Sequence, residues 1–177
     1  MKKIQKSTRI LAVDLGMREV GFAVFEDKEL IRYGVKNVRH VTSSKDLFEK
    51  EVGFVRNLMR VNIPHVVILE KSAHPERKKN KVLKKVLTHT KNLAKIHGAK
   101  VCEYDSAYAR EVVFKGNKPT KKNVSSFIAS LYPELSRYVP EKKRILWKYK
   151  DYYWLNAFDA CVLALAYMEL KKTKNSK

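Results

Sequence analysis

Three acidic residues of this chain stand where an acid is least expected. Asp14 and Glu70 each follow directly after a run of apolar residues, and Asp159 interrupts an apolar stretch from 154 to 167. A buried, ionised carboxylate costs several kcal/mol unless it is paired, hydrogen-bonded or bound to a metal. Three such acids in one chain predict a site that holds a divalent cation.

The chemistry of such a site follows from its oxygen donors. Two strand ends and a helix face can converge on a pair of Mg²⁺ or Mn²⁺ ions, which are hard cations that prefer carboxylate oxygens. A metal pair activates water and stabilises the attacking and leaving oxygens of a phosphodiester displacement. Simpler interpretations stay open: Asp14 accepts hydrogen bonds from the turn after it, Glu70 pairs with a lysine, and Asp159 forms a buried ion pair with a basic residue.

The charge balance indicates what approaches these acids. The 177 residues include 38 Lys and Arg against 18 Asp and Glu, a net charge of +20. A positive field of this size attracts polyanions, of which nucleic acid is the commonest, although a basic surface also promotes solubility. An apolar content of 45% excludes wholesale disorder. The composition therefore favours a folded protein that binds nucleic acid.

Several other classes of protein are disfavoured. No run approaches the roughly 20 apolar residues of a membrane span, and Asp14 interrupts the first apolar stretch too early for a secretory signal. Cys102 and Cys161 both fall in apolar runs, so we expect small buried side chains and neither a disulfide framework nor a zinc site. We expect a cytoplasmic protein without a membrane partner.

Three segments provide the predicted nucleic-acid contacts. The first is the basic stretch after Glu70, the second is the loop 115–119, and the third is the segment 133–150, where aromatic residues alternate with basic ones. Rings among cations can stack on unpaired bases while the cations contact phosphates. The predicted contacts are Arg77, Lys78, Lys79, Lys81, Lys84, Lys85, Lys115, Lys118, Arg144 and Lys148.

The elements that position the acids follow from periodicity and turn residues. We predict strands at 10–15, 21–26, 29–38, 65–69 and 100–104. The first predicted helix is capped by residues 42–44 and runs to about 60, and the second follows the basic stretch and ends at 98. Three further helices are predicted at 106–113, 120–132 and 152–170. Residues 133–150 are expected to be irregular. Three consecutive strands followed by alternating helices and strands predict an α/β fold with a mixed five-stranded sheet flanked by helices, as in RNase H-like proteins. One domain spans 1–177, with basic tails at 1–8 and 171–177 that we expect to be flexible.

Two motifs resemble those of a known family. The pattern Asp14-x-Gly16-x4-Gly21-Phe22 resembles the opening motif of the RuvC-type Holliday-junction resolvases, which belong to the RNase H-like nuclease superfamily. Glu70 matches the second acidic position of that family, and Asn156-Ala-Phe-Asp159-Ala160 resembles its terminal Asp-x-x-Asp-Ala motif. The similarity covers most of the chain.

The resemblance implies a homodimer that nicks four-way DNA junctions by Mg²⁺- or Mn²⁺-dependent hydrolysis with water as nucleophile. It implies Asp14, Glu70 and Asp159 as catalytic metal ligands, with Lys121 or Lys122 near the active-site lysine of the family. The family usually has Asp where this chain has Asn156. The amide can still offer a carbonyl oxygen to the metal, but the site then carries three formal negative charges instead of four.

Two alternatives remain open. The YqgF-type nucleases that trim pre-ribosomal RNA share the opening motif, although the long region from 71 to 97 and the final helix favour the resolvases. The other alternative is a catalytically silent nucleic-acid-binding module on the same fold, and Asn156 is the residue that supports it.

Overall fold

A five-stranded mixed sheet forms the centre of the computed structural model, which describes residues 7–38, 40–41, 43–71, 80–117, 119–140 and 153–175. The strands are β1 (Arg9–Asp14), β2 (Glu19–Glu26), β3 (Glu29–Asn37), β4 (Val66–Glu70) and β5 (Lys100–Tyr104). Their order across the sheet is β3-β2-β1-β4-β5. The first three strands are antiparallel neighbours, whereas β4 pairs parallel with both β1 and β5. The predicted mixed sheet is confirmed.

Helices cover both faces of this sheet. They are α1 (Ser44–Asn62), α2 (Lys81–Ile96), α3 (Ser106–Val113), α4 (Lys121–Leu131) and α5 (Leu155–Asn175), with a short 3₁₀ helix at Pro133–Tyr138. The first four begin where a polar side chain accepts a hydrogen bond from an unpaired backbone N–H of the first turn. These capping residues are Ser43, Asn80, Asp105 and Thr120.

The bounds of several elements differ from the sequence-based expectation, and β2, for example, begins at Glu19 and not at Gly21. Helix α5 continues to Asn175, beyond its predicted end at 170, and the flexibility of the basic tail stays a prediction. Adding a residue to an existing helix costs little because only nucleation is expensive. The residues Pro133–Tyr138, expected to be irregular, form a 3₁₀ helix with proline in its first turn, where the missing N–H of proline is not needed.

Side chains of the central strand alternate between two hydrophobic cores. Ile10 and Ala12 of β1 belong to the core beneath α3, α4 and α5, whereas Leu11 and Val13 belong to the core beneath α1 and α2. Successive side chains of a strand point to opposite faces. Even-numbered positions of β1 therefore face α5, and we call this side of the sheet the α5 face.

Within the described ranges, none of the helices reaches the length and apolar character that crossing a bilayer requires.

Gly21 allows the start of α5 to touch the sheet. A Cβ atom at Gly21 would lie 2.2 Å from the backbone oxygen of Asn156. We expect Gly21→Ala to lower the free energy of unfolding by about 1–3 kcal/mol, because backbone atoms of α5 must move to make room. Gly53→Ala is the control, since nothing lies within 4 Å of a Cβ there and alanine favours the helix by up to about 1 kcal/mol. Urea unfolding measures both, and equal effects would contradict the close packing at Gly21.

Candidate active site

Asp14 and Glu70 lie next to each other at the carboxyl ends of β1 and β4. Val13 and Leu69 are register partners in the parallel pair, and each acid is the next residue along its strand. Neighbouring strands are about 4.8 Å apart. Both acids follow the alternation of Ala12 and Ile68, so both are on the α5 face. Asp14 is only 4% exposed.

Helix α5 brings Asn156 and Asp159 to the same edge. Gly21 is the register partner of Asp14 and contacts the backbone of Asn156, so Asn156 lies beside the strand pair that carries Asp14. Asp159 lies about one helical turn further along α5 and lines a tightly packed cleft together with Glu70. The structure thus brings the four predicted metal ligands to one edge of the sheet, in two pairs.

Arg110 of α3 lines the same cleft as Glu70 and Asp159. Its Nη2 atom donates a hydrogen bond to Oδ1 of Asp159 at 2.7 Å, and the two side chains are only 23% and 16% exposed. A charge-assisted pair of this length is strong. For Asp159 the arrangement is therefore the ion pair that was the alternative to a metal.

Sequence reasoning missed Arg110 because nothing local distinguishes it among the 38 basic residues. The available clue is positional. Tyr104 is the register partner of Glu70 at the end of β5, and α3 begins two residues later. A basic residue on the first turns of that helix is therefore within reach of the acidic edge.

The donor set fits a divalent cation by its chemistry and only partly by its arrangement. Asp14, Glu70 and Asp159 provide the carboxylate oxygens that Mg²⁺ and Mn²⁺ prefer. However, no three His, Cys, Asp or Glu residues within the described ranges come together in a group that could hold a metal ion. Arg110 holds one oxygen of Asp159, and an amide stands at position 156.

Glu19 is a second residue that the sequence analysis did not identify. It opens β2, and its Oε2 atom accepts a hydrogen bond from Nδ2 of Asn156 at 3.4 Å. Glu19 stands two positions before Gly21, which is a spacing that puts both on the same face of a strand. That spacing is the signal that could have pointed to it.

The structure describes only some of the predicted basic residues. Lys121 and Lys122 begin α4, and neither is among the described residues that line the cleft of Glu70 and Asp159, so their catalytic role stays a prediction. Four of the predicted nucleic-acid contacts are exposed lysines, namely Lys81, Lys84 and Lys85 on α2 and Lys115 after α3. The predicted contacts Arg77, Lys78, Lys79, Lys118, Arg144 and Lys148 fall outside the described residues.

A groove of about 450 Å³ opens beside Arg110, between α3 and the loop that follows it. Glu111, Gly116, Asn117 and Pro119 line it together with the guanidinium-bearing side chain. Its volume falls within the range of pockets for small ligands. Arg110 thus connects the acidic cleft to a groove that can accept a group of nucleotide size.

We expect Arg110→Met to lower the free energy of unfolding by about 2 kcal/mol, because it leaves the mostly buried Asp159 carboxylate without its cation. Arg56→Met on the exposed surface of α1 is the control, and we expect a change within about 0.5 kcal/mol. Chemical denaturation without metal measures both. If the Arg110 variant lost no more stability than the control, the ion pair would contribute nothing.

Comparisons with known proteins show the fold. No family model matches the chain, and no curated protein matches it. The RuvC structure of Thermus thermophilus superposes with a TM-score of 0.70 at 14% identity, covering 94% of this chain and 97% of that one. The same protein in complex with a Holliday junction substrate gives 0.69 at 14% identity, covering 94% and 96%.

The yeast mitochondrial Holliday junction resolvase Ydc2 gives a TM-score of 0.65 at 15% identity, covering 98% of this chain and 85% of that one. All three comparisons cover 94% or more of this chain, in agreement with the fold that the resemblance of the motifs implied. The chain therefore has the RNase H-like fold of the RuvC-type Holliday-junction resolvases.

Proposed function

We propose that this chain is a metal-dependent endonuclease that hydrolyses phosphodiester bonds in four-way DNA junctions. The observation that carries the proposal is the placement of Asp14 and Glu70 on adjacent strand ends, both on the face covered by the helix that carries Asp159. The fold of two resolvases and the net charge of +20 support a nucleic-acid substrate. A junction is bound to one of the similar structures, which supports this form of DNA.

Asp14 and Glu70 would hold the Mg²⁺ or Mn²⁺, with Asp159 and the carbonyl oxygen of Asn156 as further donors. When bound, the cation would activate water and stabilise charge on the phosphate oxygens. The low exposure of Asp14 limits competition from bulk water and strengthens the electrostatic interaction with a cation.

Arg110 has a separate role in this proposal. It orients Asp159 by donating a hydrogen bond to one of its oxygens, and its side chain also borders the open groove. A guanidinium in that position can contact a phosphate of the bound strand, since its planar fork matches phosphate oxygens. The exposed lysines of α2 are further candidates for contacts to phosphates.

The direct test compares four substrates at equal concentration with Mg²⁺ or Mn²⁺: a four-way junction, a linear duplex, single-stranded DNA and single-stranded RNA. We expect nicks in the junction with 5′-phosphate ends and little cleavage of the other three. Specific trimming of RNA with an intact junction would overturn the proposal in favour of a YqgF-type activity.

A silent binding module is the second candidate, and a specific observation favours it. Arg110 already neutralises Asp159, and the described residues gather no three-acid group. This candidate predicts tight junction binding with every substrate left intact at either metal. The same four-substrate assay, read by electrophoretic mobility as well as by cleavage, decides between the two.

We expect junction affinity to fall by about 10³-fold or more between 50 and 200 mM salt, as happens when a protein releases counterions from six or more phosphates. Fluorescence anisotropy with a labelled junction measures the dependence. A flat response would contradict a nucleic-acid partner for this basic chain. The homodimer implied by the resemblance stays a prediction, and sedimentation of the protein with and without the junction tests it.

A further inference from the structure

Glu19 shares a face of the sheet with the proposed metal ligands. Ala23 and Phe25 of β2 pack in the core beneath α5, so the odd-numbered positions of β2 are on the α5 face. Glu19 is therefore on the face that holds Asp14 and Glu70. It stands two residues before Gly21, the register partner of Asp14.

The contact between Glu19 and Asn156 fixes the direction of the amide. Nδ2 of Asn156 lies 3.4 Å from Oε2 of Glu19, which is at the long end of hydrogen-bond distances. An ionised carboxylate only accepts hydrogen bonds, so the NH₂ group must face Glu19 and the carbonyl oxygen must point to the other side of the amide. The close backbone contact at Gly21 holds Asn156 in place against β2.

Glu19 also provides a charge that α5 lacks in its own sequence. The first turn of this 21-residue helix contains no acidic residue, although the N-terminal end of a helix carries partial positive charge. The pKa of Tyr153 is raised mainly by burial and secondly by the nearby Glu19 carboxylate. Glu19 therefore lies close to the residues that lead into α5. Tyr153 donates a hydrogen bond to the backbone oxygen of Val35 and so attaches this end of the helix to β3.

We propose that Glu19 and Asn156 act as one unit of the site, in which Glu19 provides a negative charge and orients the carbonyl oxygen of Asn156 as a donor for the divalent cation. The proposal rests on the proposed function, since it needs a cation at this edge. It differs from a purely structural role, in which Glu19 would only stabilise the start of α5. It assigns to β2 a carboxylate that the motif of α5 does not contain.

The test exchanges the carboxylate of Glu19 and the amide of Asn156, singly and together. The variants are Glu19→Gln, Asn156→Asp and the double variant E19Q/N156D, which reverses the hydrogen bond and keeps the net charge. Glu29→Gln is the matched control, because Glu29 is exposed at the far end of the β2–β3 pair. Calorimetry with Mn²⁺ alone measures cation binding, and thermal unfolding in a chelator measures stability without metal.

We expect Glu19→Gln to weaken Mn²⁺ binding by about tenfold or more, since it removes a charge close to a dication at low effective dielectric. The control should change the affinity by less than about twofold because exposed, distant charges are screened. Asn156→Asp should lower the midpoint of unfolding in chelator, because two carboxylates then face each other. The double variant should recover both the midpoint and the Mn²⁺ affinity.

Two results would overturn this inference and leave the proposed function intact, provided that wild-type protein binds Mn²⁺. In the first, Glu19→Gln binds Mn²⁺ as well as the control does. In the second, the double variant recovers neither the unfolding midpoint nor the Mn²⁺ affinity. A Glu19→Gln variant that melts earlier with unchanged Mn²⁺ affinity would assign Glu19 the structural role. If wild-type protein binds no Mn²⁺, the cation is removed from the proposed function and this inference fails with it.

Discussion

Asp14→Asn should reduce junction cleavage by about 10³-fold or more while junction binding stays within about threefold of wild type. The reason is the position of Asp14: it is nearly fully buried and lies beside Glu70 at the edge that faces α5. Removing a carboxylate that holds a catalytic cation costs several kcal/mol of transition-state stabilisation, and each 1.36 kcal/mol is about a tenfold change in rate. Phosphate contacts from the basic surface do not depend on this residue.

Single-turnover cleavage with excess protein measures the rate, and anisotropy with Ca²⁺ measures binding. Asp46→Asn is the matched control because Asp46 is exposed in the first turn of α1, where the change should cost only a few tenths of a kcal/mol. If Asp14→Asn cleaved the junction at the wild-type rate, the acidic edge would not be the active site, whatever the fold.

The second large effect concerns stability and its dependence on pH. Glu51 of α1 is 0% exposed, and neither of its carboxyl oxygens has a hydrogen-bond partner among the described residues. Burial raises the pKa of Glu51 from 4.5 to about 8. The folded protein therefore keeps this group protonated at neutral pH, whereas the unfolded chain ionises it.

The sign of the pH effect follows from this difference. Because the folded pKa is the higher one, the unfolded state loses its proton first, and stability falls as pH rises from 4.5 to about 8. The full effect is about 5 kcal/mol at about 1.4 kcal/mol per pKa unit. Glu51→Gln does not titrate, so its stability relative to wild type should increase by a few kcal/mol between pH 5 and pH 8.

Urea unfolding at several pH values measures this difference. Glu49→Gln, two residues earlier and exposed on the same helix, should show almost no such dependence. A Glu51 variant whose advantage over wild type is the same at pH 5 and pH 8 would contradict the buried, neutral carboxyl.

The sequence alone determined the parts of the site that depend on local pattern. An acid directly after a short apolar run indicates a strand end, which located Asp14 and Glu70. The bounds of β5 and α3 followed in the same way, because alternation, capping and glycine are properties of adjacent residues. Even Glu51 was visible in principle, since it lies four residues from Leu47 and four from Val55 on the buried stripe of α1.

Only the tertiary structure decided how these residues are paired. Nothing in the local sequence assigns a cation to Asp159, and the packing of α3 against α5 places Arg110, 49 residues away, beside it. In the same way, the close approach of α5 to β2 makes Glu19 the partner of Asn156, although the two residues are 137 positions apart in the sequence. The physical reason is that a charge needs a partner wherever it is buried, but the identity of that partner depends on which distant elements pack together. The three acids are therefore a property of the sequence, and the electrostatics of the site are a property of the fold.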